Sequence, residues 1–167
     1  GVTALDGVLS GTSLFVLGSI SADYLIVATG AGSLYLVDGA AEGVECIALT
    51  SIDATQSFFE LRLDNVGAEL LSGDSDDTLA ALVDAGRVML AADTLGASQK
   101  MLELAVGYAG ERKQFNRVIA SFQAVKHLCA EMAAELEPCR SLVWYAAHAF
   151  DAVPIERRLM ACHCIPN

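Results

Sequence analysis

Basic residues are scarce in this sequence, because ten Lys and Arg stand against 21 Asp and Glu and give a formal net charge of −11. Proteins that bind nucleic acid neutralise its phosphates with a clustered basic surface. The shortage of cations therefore argues against that class of function. Six of the cations nevertheless fall between Lys100 and Arg140, and such a local basic strip suits a phosphorylated small molecule better than a duplex.

Long apolar runs are also absent, although 54% of the residues are hydrophobic. No stretch approaches the ~18 uncharged apolar residues that cross a membrane, and no signal peptide pattern is visible. The apolar surplus must then be buried against protein, which favours a homo-oligomer or a piece of a larger body over a simple monomer. The chain begins at Gly1 and stops at Asn167 soon after a predicted helix, so we expect both ends to be cut.

Cysteine is present in an odd number, so the thiols cannot all pair with one another. Most of the five lie within apolar helical patterns, which favours free thiols in a reducing compartment and hence a cytoplasmic location. The C-terminal sequence ACHCIPN holds two cysteines and a histidine, but no second cluster completes four ligands, and a zinc site there is disfavoured. The cysteines are Cys46, Cys129, Cys139, Cys162 and Cys164.

Residues 1–73 read as a β-domain. Short runs rich in Val, Ile, Leu, Phe and Tyr recur at a spacing of about ten residues, which is typical of an antiparallel sheet or small barrel. In the last run Phe59, Leu61 and Leu63 alternate with polar residues and should face the core. The runs are GVLSGTSLFVLGS, DYLIVAT, GSLYLVD, GVECIAL and SFFELRLDNV.

Residues 78–167 read as helical, after a polar linker at 74–77. Apolar residues at helical intervals predict one helix from Thr78 to about Glu111 and a second from about Arg117 to Asp151. Pro138 predicts a kink in the second helix, and a third helix is predicted to begin at Pro154. Two helices of this length need further helices to bury their faces. The predicted fold class is α+β, an antiparallel β-domain (barrel-like or sandwich-like) followed by long antiparallel helices of an incomplete four-helix bundle.

Glycines also interrupt the first predicted helix, where each costs about 1 kcal/mol of helix propensity relative to Ala. We interpret Gly86, Gly96 and Gly107 as places where another helix comes close.

The turn between the two long helices is unusually dense in hydrogen-bonding side chains. The sequence YAGERKQFNRVIASFQAVKH, residues 108–127, places charged or amide side chains at nearly every position from Glu111 to Arg117. A helical hairpin needs only a short polar turn. One interpretation is that Arg112 and Lys113 cap the preceding helix through its macrodipole. The alternative is a site that holds an anionic ligand.

Other candidate residues allow a plain structural interpretation. Asp84 and Arg87 lie three apart on one helix face, as in a surface ion pair worth under ~1 kcal/mol. His127 and His148 lie among apolar residues, which favours core or interface packing over catalysis. Trp144 and its neighbour Tyr145 likewise favour helix packing.

The region DAGRVMLAADTLGASQKMLELAVGYAGERKQFNRVIASFQAVKHLCAEMAAELEPCRSLVWYAAHAFD resembles the acyl-CoA dehydrogenase family. The markers are YA-x-ER-x-QF, the I-x-x-FQAV-x-H that follows it, and E-x-x-R-x-L-x-x-x-AA. The strands of residues 1–73 resemble the family's β-domain more loosely. This sequence departs from the pattern at Asn116, where the family usually has Gly, and at Gln56, where an Arg is common. Asn tolerates the left-handed backbone, so we expect the turn to persist.

The resemblance implies a three-part plan of N-terminal helical domain, central β-domain and C-terminal four-helix bundle. It also implies FAD as cofactor, an acyl-CoA thioester as substrate, an electron-accepting flavoprotein as partner, and a homo-oligomer (dimer or tetramer) or a related partner subunit. Arg112 would then contact the pyrophosphate of an FAD held mainly by the neighbouring subunit, with Lys113 and Arg117 as solvated neighbours. The implied cofactor-binding residues are Arg112, Gln114, Phe115, Phe122 and Gln123, and the implied substrate-binding residues are Asp84 and Arg87.

The dehydrogenation that the family carries out needs a carboxylate base beside the substrate. In most members this Glu lies far along the bundle, beyond the position of Asn167, and in a minority it stands at the position matched here by Gly86. No catalytic residue is therefore predicted. The resemblance implies an FAD-dependent acyl-CoA dehydrogenase, present here as a fragment that lacks the catalytic base. The alternatives are a non-catalytic partner subunit that lends the Arg112 hairpin to a neighbour's flavin site, and a purely structural module.

Overall fold

A computed structural model describes residues 1–53, 55–73 and 76–153 of the chain. Contacts divide the chain into two compact units, residues 1–80 and residues 81–167. Each unit is described by itself below.

The first unit contains two antiparallel sheets built from seven strands in its described part. One sheet has the order β1-β2-β6-β5 and the other has the order β3-β4-β7. The predicted antiparallel β-domain is confirmed, and within the described residues the sheets do not close into a barrel. The strands are β1 Val2–Leu5, β2 Val8–Leu17, β3 Tyr24–Ala28, β4 Leu34–Asp38, β5 Val44–Ala48, β6 Phe58–Gly67 and β7 Glu69–Ser72.

The core of this unit lies between the two sheets. Phe59, Leu61 and Leu63 are buried as the alternation predicts, while Arg62 and Asp64, which point to the opposite face of the strand, are exposed. From the other sheet, the buried side chains of β3 and β4 join the same cluster. Burial of each large aliphatic side chain stabilises the fold by about 1.5–3 kcal/mol. The cluster consists of Val2, Leu9, Leu25, Val27, Val37, Leu61, Leu63 and Val66.

Two long helices make up most of the remaining chain. Helix α1 runs from Asp76 to Glu111, so the first predicted helix is confirmed with a slightly earlier start. Helix α2 runs from Gln123 to Ala152, and the predicted start near Arg117 is wrong. The intervening residues form a short hairpin of β8 (Lys113–Gln114) and β9 (Arg117–Val118), followed by a 3₁₀ turn at Ile119–Ser121. The helix predicted from Pro154 lies outside the described residues.

The two helices are linked by a polar contact in which Arg140 Nη2 donates to Gln99 Oε1 at 3.0 Å. These residues lie well back from the turn on either side, so the helices run antiparallel beside each other. Helix α2 continues through Pro138, although proline lacks the N–H of a helical hydrogen bond. Neither described helix has an apolar stretch long enough to cross a membrane.

The glycines of α1 do not mark close helix contacts within the described chain. A Cβ added at Gly86, Gly96 or Gly107 would meet no atom within 4 Å. Within the described residues, no other helix comes close to these glycines, so the interpretation of them as points of close approach is not supported there. Their positions present open helix surface.

Candidate functional site

The turn between the helices is a closed and hydrogen-bonded loop. The N–H of Arg112 donates to Tyr108 O at 2.9 Å, which continues the bonding of α1, and the N–H of Ile119 donates to Arg112 O at 2.8 Å. Between these bonds, Lys113 pairs with Val118 and Gln114 pairs with Arg117 across the hairpin. The backbone around Arg112 is thus held from both sides before any ligand binds.

Two residues with left-handed backbone form the tip of the hairpin. Phe115 has a φ of 53° and Asn116 a φ of 62°, as two-residue hairpins of type I′ require at both central positions. Asn adopts this conformation more readily than most residues, so the expectation that Asn116 preserves the turn is confirmed. Phe115 does so at a cost of about 1–2 kcal/mol. Its ring is 86% exposed.

The ring of Phe122 anchors the hairpin to the start of α2. The Arg117 guanidinium carbon lies 4.0 Å from the centre of this ring, in cation–π geometry. The edge of Phe115 meets the same ring with centroids 6.1 Å apart. Arg117 is exposed, as a solvated neighbour would be, and its contact with Phe122 also helps to fix the tip.

The cations of this region are distinguished by their lack of ion pairs. Four described Lys and Arg residues elsewhere each bond a carboxylate: Arg62, Arg87, Lys100 and Arg140. In the part of the chain that the structure describes, no ion pair forms at Arg112, Lys113, Arg117 or Lys126. All four lie on the hairpin or in the first turn of α2. A group of uncompensated cations on an otherwise acidic chain is suited to bind an anion.

The interpretation of Arg112 and Lys113 as helix caps through the macrodipole remains a prediction, because that interaction needs no hydrogen bond from the side chain. Among the described residues, neither side chain donates a hydrogen bond to a carbonyl at the end of α1. Their charges remain available to a ligand.

Asp84 and Arg87 form an ion pair on α1, with Asp84 Oδ1 and Arg87 Nη1 3.2 Å apart. Asp84 is only 1% exposed, so the interpretation of this pair as a plain surface ion pair is wrong for Asp84, which is buried. The Arg87 side chain remains 36% exposed. A buried carboxylate bonded to a guanidinium holds that group in one orientation. Arg87 can therefore reach a ligand, while Asp84 positions it.

Replacing Asp84 by Ala is expected to lower the free energy of unfolding by about 2–4 kcal/mol, because the change breaks a largely buried pair. Urea denaturation at neutral pH measures this difference. Asp93→Ala is the matched control, since Asp93 is an exposed acid on the same helix; we expect it to change stability by less than about 0.5 kcal/mol. Equal effects of the two variants would contradict the assignment.

The substrate candidates and the hairpin are far apart along the chain. A helix rises about 1.5 Å per residue, so Arg87 and Arg112 are separated by roughly 38 Å along α1. Within one chain, the structure thus brings Arg112, Gln114, Phe115, Phe122 and Gln123 together, because all lie in the hairpin or at the start of α2. It does not bring Arg87 to them.

The two histidines, Trp144 and Tyr145 of α2 are exposed in the part of the chain that the structure describes. His127, His148 and Trp144 are exposed, and Tyr145 is largely so, with its ring 6.2 Å from that of His148. Core packing was the wrong expectation for these residues in the described part of the chain. Interface packing remains a prediction.

An antiparallel β-unit followed by a helical hairpin with a cationic tip defines a class of α+β proteins rather than one activity. A family model described as "Acyl-CoA dehydrogenase, C-terminal domain" matches residues 78–162, half of the chain. The chain therefore belongs to the acyl-CoA dehydrogenase family.

Individual relatives agree with this assignment. The chain is 30% identical over 161 residues to "3-(aryl)acrylate reductase" of Clostridium sporogenes, covering 86% of this chain and 42% of the relative. It is 44% identical over 69 residues to "Caffeyl-CoA reductase-Etf complex subunit CarC" of Acetobacterium woodii, covering 41% of this chain and 18% of the relative. The structure of glutaryl-coenzyme A dehydrogenase with glutaryl-CoA superposes with a TM-score of 0.86 at 28% identity, covering 94% of this chain and 45% of that one. The chain thus spans less than half the length of these relatives.

Proposed function

We propose that this chain belongs to an FAD-dependent acyl-CoA dehydrogenase, which removes two hydrogens from the α and β carbons of an acyl-CoA thioester. The hairpin binds the diphosphate of FAD. The observation that supports this most is the group of cations without ion pairs at residues 112–126 on a chain of net charge −11. When bound, FAD supplies the electron acceptor for the dehydrogenation. The proposed flavin-binding residues are Arg112, Gln114, Phe115, Phe122 and Gln123.

The residues of the hairpin fit such a cofactor. The planar guanidinium of Arg112 can donate two parallel hydrogen bonds to phosphate oxygens. Gln123 begins α2, where free backbone N–H groups and the helix dipole favour a negative charge. The exposed ring of Phe115 offers an apolar surface to the ribitol region. Held by its backbone bonds, the loop loses little further entropy on binding.

The distance along α1 supports a site shared between subunits. The hairpin and the Asp84–Arg87 pair are too far apart to serve the same diphosphate. We therefore assign the hairpin to the flavin site of a neighbouring subunit, and Arg87, positioned by Asp84, to the binding of acyl-CoA in a different active site. An electron-accepting flavoprotein would reoxidise the cofactor. Cys46, Cys129 and Cys139 are free thiols, as a cytoplasmic protein would have.

The proposal is tested by comparing FAD with riboflavin, which lacks the phosphates and adenosine. Titration of the purified chain, followed by flavin fluorescence, should show at least ~10-fold tighter binding of FAD, since charge-assisted hydrogen bonds contribute about 1.5–3 kcal/mol each. The preference should weaken with added salt. Equal affinity for the two flavins at low salt would contradict diphosphate recognition by the hairpin.

The exposed apolar surface of the helices predicts self-association. Met89 and Trp144 are 72% and 74% exposed, and Leu90 is similarly open. Symmetric oligomers commonly cover such surfaces. Sedimentation at micromolar concentration should show a dimer or larger species, which Leu90→Glu weakens. Leu5→Glu is the matched control, because Leu5 is equally exposed but lies on β1; a well-folded monomer, or equal effects of both variants, would contradict association through the helices.

A second candidate is a non-catalytic subunit that lends its hairpin to a companion's flavin site. The observation that favours it is Gly86, which supplies no side chain at the position where some members of the family carry the base. The sequence of the reading frame that encodes this chain discriminates between the candidates. A suitably placed Glu in a later helix would favour the enzyme, and its absence would favour the partner subunit.

A further inference from the structure

Charge is distributed very unevenly between the two units. Residues 1–80 hold twelve Asp and Glu but a single cation, Arg62, so this unit carries the whole net charge of −11. Residues 81–167 hold nine residues of each sign. The acidity of the protein is therefore a property of the β-unit.

The single cation of the β-unit is already engaged. Arg62 Nε donates to Glu60 Oε1 at 2.6 Å, and its Nη1 lies 3.8 Å from Glu45 Oε2. These residues lie on β5 and β6 of the four-stranded sheet. The three-stranded sheet has no cation on any of its described strands.

The outer face of the three-stranded sheet combines apolar and acidic side chains. Cross-strand partners share a face, and the register pairs Tyr24 with Asp38, Ile26 with Leu36 and Leu36 with Glu69. The opposite face of the same strands belongs to the core. Tyr24 is 65% exposed. The outer face therefore presents an aromatic and aliphatic surface beside carboxylates.

Two adjoining hollows share Tyr24 and Asp38, the first at the start of β3 and the end of β4 and the second over this face. They have volumes of about 580 Å³ and about 400 Å³. The Asp38 carboxylate is oriented by the N–H of Ala40, which donates to its Oδ1 at 2.8 Å. We call this surface the acidic face, and define it by Ile20, Asp23, Tyr24, Leu36, Asp38 and Glu69.

We propose that the acidic face docks a second protein through a segment that carries Lys or Arg next to a large apolar side chain. An apolar side chain of the partner would bury the apolar surface of Ile20, Tyr24 and Leu36, and this burial favours binding. Asp38 and Glu69 make no ion pair among the described residues. A cation of the partner would form an attractive charge interaction with their carboxylates. The ring of Tyr24 can accept the same cation over its face. Charge complementarity of this kind sets partner choice and association rate.

The test uses two fluorescent peptides, KLKVRLK and its uncharged analogue QLQVQLQ, with the full chain at low salt. The cationic peptide should bind and the analogue should bind at least about 10-fold more weakly. Asp38→Asn combined with Glu69→Gln should raise the Kd of the cationic peptide about 3- to 20-fold. Asp38→Asn keeps a side-chain oxygen that can accept the hydrogen bond from the N–H of Ala40, so we expect the fold to be preserved.

The control removes the same charge from elsewhere on the β-unit. Glu42→Gln combined with Asp64→Asn changes two exposed acids that line neither hollow, and should alter the Kd by less than about 2-fold. If both double variants weakened binding equally, the peptide would be attracted by the overall negative charge of the unit and not by the acidic face. That result would overturn the proposal. Tyr24→Ser separates the apolar contribution, since it should weaken binding without changing charge; an unchanged Kd would overturn the assignment of this face.

A second copy of the chain is the competing occupant, because its hairpin is cationic and tipped by Phe115. Sedimentation of the Asp38→Asn, Glu69→Gln variant distinguishes the two. Unchanged self-association is expected, and its loss would assign the face to a second copy and overturn the proposal. The variant should also bind FAD like the wild type, so this proposal and the proposed function fail independently.

Discussion

The 167-residue chain, supplied with excess FAD and acyl-CoA, is expected to show no dehydrogenation above the flavin-only blank. Proton abstraction beside a thioester requires a positioned base, and general-base catalysis is typically worth 10²–10⁴ in rate. Position 86 holds a glycine, Asp84 is buried against Arg87, and Asp93 is exposed. Flavin affinity in such sites also comes from many groups acting together, of which the hairpin is one. Dye reduction with short, medium and long acyl-CoAs measures the rate.

Turnover with any of these substrates would contradict the prediction, and a further variant would identify the reason. Asp84→Asn retains the hydrogen-bonding shape but cannot accept a proton from the substrate. Activity that disappears in this variant would make Asp84 the base, and not only the residue that positions Arg87. Activity that persists would place the base elsewhere in the chain.

Replacing Arg112 by Ala is expected to weaken FAD binding by tenfold or more. The guanidinium donates charge-assisted hydrogen bonds worth about 1.5–3 kcal/mol each, and the substitution removes both the charge and the fork geometry. Arg112→Lys keeps the charge alone and should fall between the wild type and Arg112→Ala. Flavin fluorescence titration gives the three dissociation constants.

Lys100→Ala is the matched control for Arg112→Ala. It removes one positive charge from α1, but Lys100 lies 3.8 Å from Glu103 and away from the hairpin, so FAD affinity should change less than about 2-fold. If Arg112→Ala and the control retained equal amounts of FAD after gel filtration, Arg112 would not belong to the site.

The features predicted well from the sequence are those with long, regular patterns. The alternation of Phe59, Leu61 and Leu63 spans a ten-residue strand, and α1 is a stretch of 36 residues without a proline, so the length of each segment favours its prediction. Strands β1 and β7 have four residues each, and β8 and β9 have two. Such strands are too short for periodicity, and their pairing depends on partners distant in the sequence or on the turn itself.

The site was predicted only in its residue types. The motif around Arg112 indicates an anion site by resemblance, but only the folded chain shows that its cations form no ion pair with the described residues. Burial of Asp84 was likewise not predictable, since an acid three residues before an arginine on a helix is usually solvated. An aromatic residue seldom adopts left-handed backbone, so this conformation was not predicted for Phe115. It occurs because the two-residue loop imposes it.

The register of the four-stranded sheet has a consequence for the order of folding. Leu9 of β2 pairs with Val66 of β6, so this strand stays without its main partner until nearly the whole β-unit has left the ribosome. Contacts that close such long loops form slowly, whereas helical turns form in well under a microsecond. The nascent chain therefore exposes the β6-facing edge of β2 through most of β-unit synthesis, and we expect the four-stranded sheet to be completed only after β6 has emerged. This interval, more than the native state, is where the chain is open to aggregation and where a chaperone would act.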